Sequence, residues 1–262
     1  MGPVDIQIES LAVCFLLIII PVLTSFFLHL KLIRSIFISL MRMTVQLALI
    51  GLFLKYLFIV NNAFVNLAWV FVMIMFAIFT VMKSSQIKIM SILVPILFSF
   101  IISTLFTIFY VNIFVIKGDN IFDARYLVVL SGMLLGNTLR GNIIGINNFY
   151  ANIKKDHKMY LYNLSLGATH FESILPYLQD SLQSSLKPTV ATMATMGIVS
   201  LPGMMTGTIL GGADPLVAIK YQIMIMIAIF VCVNSSVLLT ILLSLKACFT
   251  GFGTLKESIM RK

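Results

Sequence analysis

The chain has 262 residues, of which 60% are apolar and 10% charged, with 18 basic against 9 acidic side chains for a net charge of +9. So few charges could not cover the surface of a soluble domain, which excludes a soluble fold and the nucleic-acid partner that a basic balance would otherwise imply. The apolar residues fall in runs close to the roughly 20 that cross a hydrocarbon layer, with no sustained period-two alternation, so spanning helices are expected rather than a closed barrel.

Seven runs are read as transmembrane helices: Leu11 to Leu30, Val45 to Val60, Phe64 to Met82, Met90 to Val115, Tyr126 to Ile146, Pro188 to Leu210 and Ala218 to Leu245. The first is too long for a cleavable signal and is preceded by Asp5 and Glu9 with no basic residue, so it is expected to stay in the membrane. With the N-terminus outside, thirteen basic residues fall in cytoplasmic loops and flanks: Lys31, Arg34, Arg42, Lys83, Lys88, Lys154, Lys155, Lys158, Lys187, Lys246, Lys256, Arg261 and Lys262. The other side receives four, Lys55, Lys117, Arg125 and Lys220, together with Asp5, Glu9, Asp119, Asp123 and Asp214. Because cytoplasmic loops accumulate Lys and Arg, the expected fold is an all-α membrane protein of about seven spans, N-terminus out and C-terminus in, forming one transmembrane domain over residues 1–262.

The first four runs carry few polar residues, as befits a scaffold facing lipid. The fifth carries Ser131, Gly132, Gly136, Asn137, Thr138, Arg140, Gly141, Asn142, Gly145 and Asn147, and is expected to be surrounded by protein or water. Helical spacing puts Ser131, Thr138, Asn142 and Gly145 on one stripe and Gly132, Gly136, Arg140 and Asn147 on another. The pairs Gly132–Gly136 and Gly141–Gly145 would let another helix approach the backbone closely, and the stripes are compatible with tight packing as well as with a pathway. Arg140 is the sharper candidate, because a guanidinium at membrane depth is costly unless it is paired, hydrated or able to snorkel to the surface.

Between the fifth and sixth runs lies a polar stretch, Ala151 to Lys187, read as two short helices hinged at Gly167. Thr169-His-Phe-Glu172 matches a capping box, and Phe171, Ile174, Leu175, Leu178, Leu182 and Leu186 then recur at helical spacing opposite Gln179, Asp180, Gln183 and Ser184. In the sixth run Pro202 removes a backbone donor and Gly203 and Gly207 loosen the helix, so a break is expected. The break reads either as a kink or as a site where freed carbonyls, Ser200, Thr206 and Thr208 meet cargo. Met193, Met196, Met204, Met205, Met224 and Met226 along the last two runs read as packing or as soft ligands, and Cys14, Cys232 and Cys248 as packing residues without paired spacing.

Ser165-Leu-Gly-Ala-Thr169 followed by Ile174-Leu-Pro176 resembles the cytoplasmic coupling loop of ABC-transporter permeases. More specific is Gly197-Ile-Val-Ser-Leu-Pro-Gly-Met-Met-Thr-Gly207 with Asp214-Pro215 and Ile219-Lys-Tyr-Gln222, joined by Leu130-Ser-Gly-Met133 and Gly136-Asn137. Together they resemble the permease family that contains the bacterial iron exporter subunit FetB and the plant STAR-type aluminium-tolerance permeases. The likeness is close over the last half of the chain, and it departs at Tyr162, where such coupling loops usually carry Glu.

The resemblance implies a permease of an ABC exporter, at least a homodimer in membrane lipid, moving iron or another metal ion out of the cytoplasm across a bacterial inner (plasma) membrane. With no phosphate-binding GxxxxGK[ST] loop in the chain, ATP and Mg are expected on a separate ATPase subunit, and this chain is expected to be neither an enzyme by itself nor a holder of a cofactor. ATPase coupling is assigned to Gly167, Ala168, Thr169, Leu175 and Pro176. The translocation pathway is assigned to Arg140, Asn142, Ser200, Pro202, Gly203, Met204 and Thr206, with Asp214 and Gln222 near its outer mouth and no metal ligands assigned. An ion-coupled secondary transporter built on the broken helix is the alternative, although such folds usually show two broken spans in repeated halves.

Overall fold

The computed structural model describes residues 7–85, 89–118, 120–251 and 253–256. Asp5, Lys88, Asp119, Arg261 and Lys262, used above to weigh the two sides, lie outside the described residues. The first apolar run folds as α1 (Ile8–Leu16) and α2 (Ile19–Phe27). The break falls at Leu17 and Ile18 because Pro21 offers no N–H to the carbonyl of Leu17 four residues earlier, and tight three-residue bonds from Leu17 to Cys14 and Ile18 to Phe15 take over. Helix α3 (Ile33–Val60) begins a dozen residues before the expected span, since Arg34 and Arg42 interrupt the apolar run without disfavouring helix.

Helix α4 spans Ala63–Ser84, and α5 spans Ile89–Tyr110 and continues through a π-helical turn, Val111–Ile116, closed by Lys117 at φ 51°. Helices α6 (Ala124–Lys155) and α10 (Pro215–Cys248) are both started by an aspartate cap, Asp123 accepting from Arg125 N–H and Asp214 from Leu216 N–H. At about 1.5 Å per residue each is longer than a hydrocarbon layer is thick, so each projects beyond it.

Inter-helix hydrogen bonds fix the directions. Thr138 with Cys232 and Asn142 with Ser236 make α6 and α10 parallel. Ser99 with Thr240 and Thr104 with Cys232 make α5 antiparallel to α10. Asn66 donating to the Phe122 carbonyl and Asn147 to the Ser84 carbonyl run α4 parallel to α6. The three parallel helices end in Lys83, Lys154 with Lys155, and Lys246, a basic end that their dipoles also favour. At the opposite end Asn61, held left-handed at φ 38°, accepts from Asn66 and from Ala124 N–H and so pins the turn between α3 and α4 to the start of α6.

The sixth apolar run departs most from expectation. Helices α7 (His157–Ser165) and α8 (His170–Thr195) follow α6, and α8 passes through Pro188 without stopping. The amphipathic segment therefore does not end at Lys187; it is one rod with the first third of the run read as the sixth span. Pro188 costs the helix one donor, and buried Ser181 and Ser185 hold the turns before it against the bundle. The chain breaks over Met196–Pro202, with Gly197 at φ +86°, and resumes as the short α9 (Gly203–Leu210). Six helical stretches are long and apolar enough to cross a membrane among the described residues, the sixth run being divided between α8 and α9.

Candidate functional site

Helix α6 has two unlike polar sides. On one, it closes against α10: Thr138 donates to Cys232 Sγ at 3.4 Å, Asn142 Nδ2 to Ser236 Oγ at 2.9 Å, and Tyr150 shares a bond with Ser244. The glycines between these bonds allow the approach. A Cβ on Gly141 would sit 2.5 Å from Val233 Cγ1, and one on Gly145 would sit 2.6 Å from Val237 Cγ1 and 2.7 Å from Ser185 Oγ. The Gly132–Gly136 pair works differently, since nothing lies within 4 Å of a Cβ on Gly136. Asn142, expected in the pathway, is fully buried in this seam.

On the other side α6 faces a cavity of about 350 Å³ walled by α8, the break, α9 and α10. Met133, Asn137 and Arg140 line it from α6, Ser185, Pro188, Thr189 and Thr192 from α8, and Gln222 and Met226 from α10. The break and α9 add Met196, Ser200, Pro202, Gly203 and Met204. Six of the nine expected pathway residues thus meet at one void: Arg140, Ser200, Pro202, Gly203, Met204 and Gln222. Arg140 stands about halfway along α6, too deep for a short reach to the basic end, and has neither ion pair nor hydrogen bond among the described residues.

Three expected pathway residues do other work. Asn142 belongs to the seam, Thr206 returns its hydroxyl to the Pro202 carbonyl at 3.1 Å, and Asp214 caps α10. Two carbonyls of the break are recaptured, Pro202 by Thr206 N–H and Ser200 by Gly197 N–H. A second chamber of about 250 Å³ lies toward the other end, lined by Arg125, Tyr126, Tyr221 and Thr208 among others. Met204 and Gln222 line both chambers and form the partition between them, with Gln222 Nε2 3.7 Å from Met196 Sδ.

At the basic end Gly167, at φ +91°, turns the chain from α7 into α8, a backbone region that side-chain-bearing residues rarely adopt. The capping box is formed as expected: the Thr169 hydroxyl accepts from Glu172 N–H, and the Glu172 carboxylate accepts from the Thr169 hydroxyl and from Thr169 N–H, which hold its carboxyl below the usual range. Ile174, Tyr177 and Leu178 face inward, whereas Tyr162, Leu166, Phe171, Leu175 and Pro176 are exposed around the corner.

Sequence reasoning missed the tail that braces this corner. Buried Phe249 lies against Tyr150, Tyr160 and His170, and the Tyr160 hydroxyl donates to the Gly253 carbonyl. Lys256 Nζ donates to the Ala247 carbonyl at 2.8 Å. Burial pushes the Tyr160 phenol up to about 12 and the His170 imidazole down from 6.5. The closely spaced Gly251 and Gly253 between threonines were the available signal of a turn.

The family model described as "Uncharacterised protein family (UPF0014)" matches residues 8–249. The chain belongs to the UPF0014 family. "Probable iron export permease protein FetB" of Escherichia coli is 33% identical over 221 residues, 84% of each chain. "Protein ALUMINUM SENSITIVE 3" of Arabidopsis thaliana is 30% identical over 223 residues, covering 82% of this chain and 77% of the plant protein. "UPF0014 membrane protein STAR2" of Oryza sativa is 31% identical over 138 residues, 53% of this chain and 48% of its own. No solved structure matches. The resemblance read from the second half of the sequence is borne out, and the family match extends it over the early spans. With six long apolar helices among the described residues, this UPF0014 chain is an integral membrane protein of the inner (plasma) membrane type, and its Escherichia coli relative is named a permease.

Proposed function

We propose that this UPF0014 protein is the membrane-spanning subunit of an ABC exporter, working as a homodimer with a separate ATPase that binds ATP and Mg, and exporting iron or another metal. The observation that carries this reading is the continuity of α8. Its capped start forms the exposed corner at the basic end, while Ser185, Pro188, Thr189 and Thr192 on the same rod wall the central cavity. From His170 to Thr192 the rod covers about 33 Å at the usual helical rise. Movement imposed at the corner is thus delivered to the cavity wall without a hinge between them, and the Met196–Pro202 break lets α9 move separately.

The apolar corner, Tyr162, Leu166, Phe171, Leu175 and Pro176, fits a docking face for the ATPase, with the basic end on the cytoplasmic side. Tyr162 in place of the usual Glu makes that docking apolar rather than ionic. The printed name of the Escherichia coli relative supports the iron cargo and the outward direction. The test is co-purification of the tagged chain from its native membrane, followed by ATPase assay with and without ferrous and other metal ions. The reading requires a stoichiometric ATPase and turnover that depends on cargo; a chain that purifies alone and moves solute without ATP contradicts it.

A further inference from the structure

Among the described residues no carboxylate lines either chamber, and each is lined by an arginine. The two acidic residues nearest the outer end, Asp123 and Asp214, are engaged as helix caps. The other described acidic residues, Glu9, Asp156, Glu172 and Asp180, lie on α1, at the α6–α7 junction and on the outward side of α8. Around Arg140, which has no partner among the described residues, the central cavity offers further groups able to donate: the Ser200 hydroxyl and the second N–H of the Asn137 and Gln222 amides, whose first goes to the Met133 carbonyl and Met196 Sδ. An uncompensated guanidinium repels a bare divalent cation. The same group binds a carboxylate or phosphate through charge-assisted hydrogen bonds.

Arg125 and Arg140 are fifteen residues apart on α6, so they stand about 22 Å from one another along the axis and about 60° apart around it. That separation covers most of a hydrocarbon layer of about 30 Å. Each arginine lines its own chamber, and the chambers share the Met204–Gln222 partition.

We propose that the two chambers are successive stations for a cargo bearing an oxyanion, either a free carboxylate or phosphate compound or a metal carried as its carboxylate complex, and that Arg140 and Arg125 bind it in turn. Metal export then proceeds with the ion escorted by an anionic ligand. The proposal rests on the transporter reading for its direction, but the binding itself does not require the ATPase.

The experiment uses the full chain purified in detergent, without ATPase, in equilibrium dialysis against labelled citrate, labelled citrate with ferric iron, labelled phosphate, and ferrous ion kept reduced. The citrate label with and without iron distinguishes a free oxyanion from a metal complex. Saturable binding of at least one oxyanion is expected, weakened about tenfold or more in Arg140→Gln and largely kept in Arg140→Lys, with ferrous ion not retained. The double variant Arg140→Gln, Arg125→Gln weakens it further. Unchanged melting temperature and elution volume show that the variants are folded. Retention of ferrous ion that Arg140→Gln leaves equal or strengthens overturns the proposal, as does oxyanion binding indifferent to Arg140→Gln, or none. A chain that binds the oxyanion but has no ATPase partner contradicts the transporter reading and leaves this one standing; ferrous-stimulated ATPase without oxyanion binding does the reverse.

Discussion

The two sides of α6 carry similar residue types and have opposite fates. Toward α10, Thr138, Asn142 and Tyr150 find polar partners across a seam that Gly141 and Gly145 allow to close. Toward α8 and α9, Asn137 and Arg140 face a void, and Arg140 has no partner among the described residues. Polarity in a membrane helix is therefore not itself the signature of a pathway. The distinguishing feature is whether the polar group is satisfied by a neighbouring helix or left facing open space.

The seam is where substitution should cost most. Gly145→Leu places a branched side chain where even a Cβ would meet Val237 and Ser185, and should destabilise the purified protein by about 1–3 kcal/mol or prevent its accumulation, read as loss of monodisperse material and a lower melting temperature. Gly136→Ala, with open space at the same distance from the helix axis, should be neutral or slightly stabilising. Asn142→Ala removes the bond to Ser236 and should cost about 1 kcal/mol in the same melt while leaving oxyanion binding unchanged.

Thr169→Ala, at the start of α8, should cost about 1 kcal/mol of local helix stability and lower ATPase stimulation by cargo, because it loosens the end of the rod proposed to dock on the ATPase. Smaller again is a pH effect at the corner. Burial holds the His170 imidazole below 6.5, so the fold favours its neutral form; the stability this adds is present above the unfolded value and is lost as pH falls below it. Melting temperature should drop between about pH 7.5 and pH 5.5, and His170→Phe, which keeps the ring against Phe249, should reduce that drop. Arg140→Gln should be nearly silent in stability, within about 0.5 kcal/mol, and clear in binding, the reverse of the seam variants.

Much of this was legible in the sequence because it follows from local patterns. Apolar run lengths gave six of the seven expected spans, and Thr169 with Glu172 announced a box that forms as written, whereas Asp214, read as part of the outer mouth, caps α10 instead. Where expectation failed, tertiary packing overrode a local cue. Pro188 looked like a boundary, yet the buried serines of α8 hold the helix through it. Asn142 looked like a pathway residue because nothing in α6 alone reveals that Ser236 lies opposite. The convergence of Met133, Met196, Met204 and Met226 on one cavity from four parts of the chain has no sequence spacing to announce it. The first three helices show the complement: the described spans in α1 to α3 are read easily from hydropathy, and only 6% of their apolar windows is buried.

The division of α6 is tested most directly by thiol labelling in intact membranes with an anionic, membrane-impermeant reagent in inverted and right-side-out vesicles. Starting from Cys14→Ser, which leaves Cys232 and Cys248 buried, single cysteines are placed at Asn137, Arg140, Thr138 and Asn142. The account predicts labelling at 137 and 140 from at least one side and none at 138 and 142; labelling at 138 and 142 with 137 and 140 protected would contradict it.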